Sequence, residues 1–279
     1  MNDQRISILG CGWLGLPLAR YFAGKGFRVK GSTTSEGKFD ALRAAGVEPY
    51  RIVLGDSLEG DVKPFLDSEI LVVNIPPQRR DDIVEYHVGQ ISMLIDAIAE
   101  SPVKHLLFVS ATSVYPALGR EVVEDDAFAP EDADTPVGQA LLYVEDMLLS
   151  EPAFNTTVVR FSGLIGPGRY PVNFMQRMKE IADSDQPVNL VHLDDCVQII
   201  GEIISRELWG EVFNASCPGH PTRREFYAVA AESHGLSALP PAAAVGRPFK
   251  TVSSEKLEKA LGGYRFLHPD PLAMARTVE

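Results

Sequence analysis

The sequence predicts an α/β fold in which a doubly wound, mostly parallel sheet carries helices on both faces and is followed by a smaller C-terminal lobe. Three observations carry that expectation. Short strand-like runs at residues 6–9, 28–31, 50–54, 103–109 and 156–161 alternate with segments of helical period. The run at 69–77 is apolar almost throughout, as a strand covered on both faces should be. A glycine-rich turn joins the first strand directly to the first helix. The chain has 279 residues, 45% of them hydrophobic, enough for one large domain or a domain and a small lobe.

The turn organises the rest. Gly10, Gly12 and Gly15 follow the first strand in the spacing G-x-G-x-x-G, and Leu14, Leu18 and Phe22 then recur at helical spacing. The first glycine permits the tight turn, the second lets a pyrophosphate approach the backbone, and the third lets helix and strand pack closely. Free N–H groups at the start of such a helix point at the phosphates. A dinucleotide site is therefore expected on Gly10, Gly12, Trp13, Leu14 and Gly15. An NAD-selective fold places an acid at the end of the second strand to hold the ribose 2′-hydroxyl. Here Ser32, Thr33, Thr34 and Lys38 stand there instead, a set suited to a 2′-phosphate, although Glu36 is close by. NADP is the expected cofactor and NAD the alternative. Ligands sit outside the carboxyl ends of a parallel sheet, so Asn74, Ile75, Pro76, Ser110, Phe161, Gly163 and Leu164 complete the expected cofactor site.

Further helices are expected at 40–45, 82–99, 137–149, 173–181 and 196–204, and further strands at 188–192 and 211–214, with 239–248 a proline-rich loop. The expected division is a cofactor domain over 1–166 and mainly a substrate lobe over 167–279, with 188–204 packing back on the sheet. The acidic stretch carrying Glu124, Asp125, Asp126, Glu131, Asp132 and Asp134 reads as a solvated loop.

A net charge of −12 argues against a nucleic-acid partner and leaves a small-molecule substrate or effector. Cys11, Cys196 and Cys217 form an odd set without a C-x-x-C pair, which fits a reducing cytoplasm and no metal site. Cys11 reads as a small residue tucked into the turn. The first residues are polar, and no stretch approaches the ~20 apolar residues of a membrane helix, so a cytoplasmic protein is expected.

Four segments together resemble the extended short-chain dehydrogenases/reductases, the NAD-dependent epimerase/dehydratase superfamily: the glycine turn, residues 108–115, residues 160–169 and residues 192–195. The resemblance spans nearly the whole chain, and the G-x-G-W-L-G turn is similar to that of an atypical bacterial branch. It implies a Rossmann-type cofactor domain and a C-terminal lobe for the substrate, often a nucleotide-sugar. It also implies a Ser or Thr after the fifth strand and a Tyr-x-x-x-Lys pair on the helix after the acidic loop. Counted along this chain, those three positions fall on Ala111, Gly138 and Leu142, and this helix carries no Tyr-x-x-x-Lys in any register. Tyr143 lies about 140° further round the helix and should face elsewhere. Dehydration would need carboxylates at Thr112 and Ser113, so it is not expected. The pocket candidates are Thr112, Ser113 and Tyr115, with Arg169, Tyr170 and His192 toward the substrate. Two functions remain open: an oxidoreductase or epimerase-like enzyme with substituted catalytic groups, or a cofactor-binding protein without turnover.

Overall fold

The computed structural model describes residues 4–127, 129–243, 246 and 248–277. Strands β1 (Arg5–Leu9), β2 (Arg28–Thr33) and β3 (Glu48–Leu54) alternate with helices α1 (Gly15–Gly24) and α2 (Phe39–Ala44). A short strand β4 (Leu58–Gly60) and helix α3 (Val62–Leu66) lead into β5 (Ile70–Val73), α4 (Ile83–Ala99) and β6 (His105–Ala111). Next come β7 (Arg120–Val122), α5 (Pro136–Ser150), β8 (Asn155–Phe161), β9 (Gly163–Ile165), α6 (Val172–Met175), β10 (Leu190–His192) and α7 (Leu193–Ser205). The chain ends through β11 (Val212–Ala215), α8 (Arg223–Ser233), β12 (Lys250–Val252), α9 (Glu255–Ala260) and α10 (Pro271–Ala275).

The main sheet has eight strands in the order β11-β8-β6-β5-β1-β2-β3-β4, all pairing parallel except the β3–β4 hairpin. Chain order reverses between β1 and β5, where Ile8 pairs with Gly31 on one side and Val72 on the other. A crevice must open above the carboxyl ends of those two strands, because the connections leave them in opposite directions. Side chains alternate across the sheet at period two. Ile6, Ile8, Ile70, Val72 and Val159 join the core with α1 and α7. Leu71, Val73, Leu106, Phe108 and Val158 join the other core with α4 and α5. All four residues of β5 are fully buried, which is why its sequence shows no alternation.

Two features differ from the expectations. The β4–α3 segment is too short to leave a periodic signal. The expected helix at 173–181 is confined to Val172–Met175, and Ile181 instead bridges to Pro241. The strand expected at 188–192 is present as β10 and pairs with β9 in a separate two-stranded sheet. Beyond residue 166, β11 also joins the main sheet, where it pairs with β8 and completes it. Helix α7 lies against α1, with Gly201 facing the Tyr21 ring at a distance no Cβ would fit. Of the loop expected at 239–248, residues 244, 245 and 247 lie outside the described residues. Among the described residues no helix is long and apolar enough to cross a membrane.

Candidate cofactor cleft

The turn after β1 is fixed from three sides. Gly10 N–H donates to Ser32 Oγ at 2.9 Å, Cys11 N–H to the Ser32 carbonyl at 2.9 Å, and Asn74 Nδ2 to the Gly10 carbonyl at 3.0 Å. Gly10 has φ +98°, and a Cβ there would overlap the Asn74 carbonyl. A Cβ on Gly15 would overlap the Gly10 carbonyl, so helix and strand close up only because it is glycine. Gly12 differs: a Cβ there would meet nothing within 4 Å, since the residue fronts an open cleft. Cys11 packs its thiol beneath the turn, and burial pushes its pKa up to about 12. Helix α1 has no side-chain cap and no acid in its first turn; Leu16 N–H donates to the Gly12 carbonyl and Pro17 has no N–H, so the donors this end offers a ligand are the N–H groups of Trp13, Leu14 and Gly15.

The cleft above β1 and β5 encloses about 680 Å³. Gly10, Gly12, Trp13, Leu14, Ser32, Thr33, Thr34, Lys38, Asn74, Ile75, Pro76, Ser110, Phe161 and Leu164 all line it. Gly15 lies behind the turn, and Gly163 packs within β9 against Leu190. Ser32 is buried with its hydroxyl accepting from Gly10, so it serves the turn; Thr34 and Lys38 are the exposed lining groups at that corner, and Glu36 is exposed there but outside the lining. Ile52, Leu54 and Gln90 also line the cleft. Gln90 Nε2 donates to the Leu54 carbonyl and its Oε1 lies 3.3 Å from Nδ1 of the fully buried His87, whose pKa burial lowers. The carboxyl-end rule applied to the third strand points to Ile52 and Leu54; nothing local marks Gln90. Among the described residues the lining includes the cations Lys38 and Arg169 and no carboxylate, in a chain of net charge −12. Ser162 Oγ is buried in this lining without a protein partner among the described residues. An open glycine, uncapped helix donors, two cations and an orphaned hydroxyl fit a phosphate-bearing dinucleotide.

A model of the NAD dependent epimerase/dehydratase family matches residues 6–215. The chain belongs to this family. It is 30% identical over 277 residues to protein YeeZ of Escherichia coli K12, covering 97% of this chain and 98% of the relative. Among solved structures, UDP-glucuronic acid 4-epimerase from Bacillus cereus in complex with NAD superposes with a TM-score of 0.81 at 17% identity, covering 98% of this chain and 96% of that one. The human epimerase family protein SDR39U1 with NADPH superposes with a TM-score of 0.71 at 18% identity, covering 98% of both chains.

The end of the cleft between β6, β8 and α5 is where the family resemblance places the reacting groups. Thr135 caps α5 by accepting from Gly138 N–H at 3.1 Å. The helix then turns Val137 and Leu141, four residues apart, to the cleft. Gly138 and Leu142, the positions counted from sequence, are outside that lining. Gly138 faces the Ser113 carbonyl so closely that a Cβ would overlap it, and Leu142 is buried in the core beneath α4 and α5. Ala111 does line the cleft. The chain's one Tyr-x-x-x-Lys spacing, Tyr21 and Lys25, is at the C-terminal end of α1 and outside the lining. Tyr143 points outward and donates to Glu131 at 2.6 Å.

Thr112, Ser113 and Tyr115 do not line the cleft. Tyr115 is fully buried, donates to Asn214 Oδ1 at 2.6 Å and accepts from Arg160 at 2.7 Å; burial pushes its pKa up to about 12. Arg160 also pairs with Glu145 at 2.6 Å, both side chains almost fully enclosed. Ser110 donates to Glu145 Oε1 at 2.5 Å. Its one proton is thus committed inward, and it can offer the cleft only a lone pair. Sequence reasoning missed Glu145 and Asn214, whose partners are distant in the chain.

At the other wall, Arg169 lies 4.3 Å from the Trp13 ring centroid, and Trp13 Nε1 donates to the Pro167 carbonyl at 2.6 Å. This ties the glycine turn to the segment after β9. Tyr170 and His192 are outside the lining, buried behind that segment with Tyr170 Oη 3.5 Å from His192 Nε2. Burial, followed by the adjacent His268, lowers the His192 pKa.

Proposed function

We propose that this member of the family binds NADP(H) in the cleft as a held ligand and does not perform the family's Tyr–Lys proton transfer. The observation that carries this reading is the face of α5 turned to the cleft, which bears Val137 and Leu141 where an acid–base pair would be needed. A bound nicotinamide supplies hydride transfer, and reduction of a carbonyl also requires a proton. Among the described lining residues near that end, the polar groups are Ser110, whose proton is committed to Glu145, and Ser162, a buried hydroxyl with no base paired to it; the others are apolar. The preference for the 2′-phosphate rests on Thr34 and Lys38 and on the lack of an acid in the lining among the described residues. NAD and NADPH in the related structures support a nicotinamide dinucleotide of either kind.

A second reading is favoured by Arg169, an exposed guanidinium over the lining, which suits a small anionic substrate such as a sugar nucleotide. In that case the protein is an oxidoreductase or epimerase-like enzyme with replaced catalytic groups. Calorimetric titration with NADPH and NADH should give one site per chain with NADPH tighter. Screening sugar nucleotides, alcohols and carbonyl compounds for a change in reduced-nicotinamide absorbance should give none; a substrate-dependent change would transfer the conclusion to the enzyme reading. Failure of both cofactors to bind would remove both readings.

A further inference from the structure

Outside the cleft lining, two histidines and a carboxylate from distant parts of the chain meet at the start of α7. His192 ends β10 and caps α7, Asp194 lies in the first turn of that helix, and His268 arrives on the segment before α10. Asp194 Oδ2 is 3.3 Å from His192 Nδ1 and 3.0 Å from His268 Nε2, and the three potential ligand atoms all lie within 4.8 Å of one another. Ligands at about 2.1 Å from a tetrahedral ion stand about 3.4 Å apart, so both contacts to Asp194 have the required spacing.

The electrostatics of the group point the same way. His192 Nδ1 accepts from Asp194 N–H at 3.2 Å, so it is the unprotonated nitrogen of its ring, and a cation bound there takes over its single lone pair from this long contact. Asp194 Oδ2 is a second acceptor 3.3 Å from Nδ1, a contact that a cation between them relieves. The other ring nitrogen, Nε2, is 3.5 Å from Tyr170 Oη, the outer hydrogen bond that orients a metal-bound imidazole. His268 is held in place by the neighbouring residue of the same helix turn: Asp195 accepts from Tyr264 Oη at 2.8 Å, Leu267 N–H at 2.7 Å and His268 N–H at 3.1 Å. The two imidazoles stand with centroids 3.8 Å apart. His192 is buried, while Asp194 and His268 retain exposure and leave a path for an ion to enter.

We propose that His192, Asp194 and His268 form a three-ligand site for a divalent cation of the Zn2+ class, with a further coordination position open to water. Two imidazoles and one carboxylate match that metal's preference, and three protein ligands leave the coordination incomplete. The cysteines take no part, being buried at other positions. Cysteine spacing alone predicts no metal, and the histidines are 76 residues apart, too distant for any local motif. The site lies beside the cleft, since a Cβ on Gly166 would touch both His192 and the Trp13 ring, which lines the cleft. It does not depend on which cofactor the cleft holds.

The test is equilibrium dialysis of the full chain, stripped with chelator, against Zn2+, with Co2+ as a spectroscopic probe. One Zn2+ per chain and a rise in the unfolding midpoint with Zn2+ are expected. His268→Ala changes a partly exposed residue and should weaken binding at least about tenfold. Asp194→Asn keeps the side-chain shape and should do the same, whereas His234→Ala, on α8's end, should bind as wild type. Thermal unfolding of each metal-free variant confirms that it is folded, and either of the first two suffices if the other is not. Stoichiometry well below one, or wild-type affinity in a folded His268→Ala or Asp194→Asn, would overturn the proposal.

Discussion

Lys38 stands exposed at the corner of the cleft where β2 ends, with Thr34 beside it and Ser32 already engaged by the glycine turn. Its role is therefore separable from the turn's. Lys38→Ala should weaken NADPH at least about tenfold, since a hydrogen bond to a charged group is worth roughly 1.5–3 kcal/mol, and leave NADH nearly unchanged. Paired titrations of both cofactors measure this, and equal losses would mean that Lys38 does not read the 2′-phosphate. The same resolution applies on α5. Leu141 and Leu142 are both buried in the same core, so a lysine at either position should cost stability in the free protein. Leu141 also lines the cleft, so Leu141→Lys should recover part of that loss when NADPH binds, through a charge-assisted hydrogen bond worth about 1 kcal/mol, and Leu142→Lys should not. Urea unfolding of the two variants with and without NADPH measures this; recovery at 142 and none at 141 would restore the register counted from sequence.

At the scale of elements, what was legible depended on whether the signal was local. The strand, the turn through Gly10, Gly12 and Gly15, and α1 are contiguous, so their order alone points to the cleft. Helix α5 is equally plain from its period, but a period does not give rotation about the helix axis. That rotation is decided by Gly138 against the Ser113 carbonyl, a contact between segments that no spacing along the chain reveals. The Ser110–Glu145–Arg160 chain is hidden for the same reason. The acidic segment is more structured than its composition suggests. Arg120 bonds Asp126 at 2.6 Å and the Val123 N–H donates to it, which together hold the Asp126 pKa at about 2. An unfolded aspartate titrates near ~3.9. A depressed folded value means that this stabilisation is complete above the unfolded pKa and disappears as pH falls through about 4 to 2. Asp126→Asn should therefore lower the unfolding midpoint at neutral pH, with the gap to wild type narrowing across that acid window in a pH series. A gap that persisted unchanged at the acid end would show that the carboxylate's charge is not what holds the segment.

The whole molecule is closed by a second long-range carboxylate. Asp195 is fully buried at the start of α7 and accepts three hydrogen bonds from the segment 264–268, while α7 itself packs on the cofactor helix α1. Asp195 thereby fastens the C-terminal segment to α7, beside the Asp194–His268 contact. Asp195→Ala leaves a hydroxyl and two backbone N–H groups without their acceptor. At about 1–3 kcal/mol for each unsatisfied buried group, a loss of at least about 3 kcal/mol is expected. For a chain of this size that is a fall of roughly 6–12 °C in the unfolding midpoint. On the proposed reading, saturating NADPH should act at the cleft and add about 2.7 kcal/mol at a hundred times its dissociation constant, to wild type and variant alike. The gap between the two should then be the same with and without cofactor. A gap that widened on adding NADPH would mean that the Asp195 fastening also shapes the cleft, through α7 and α1.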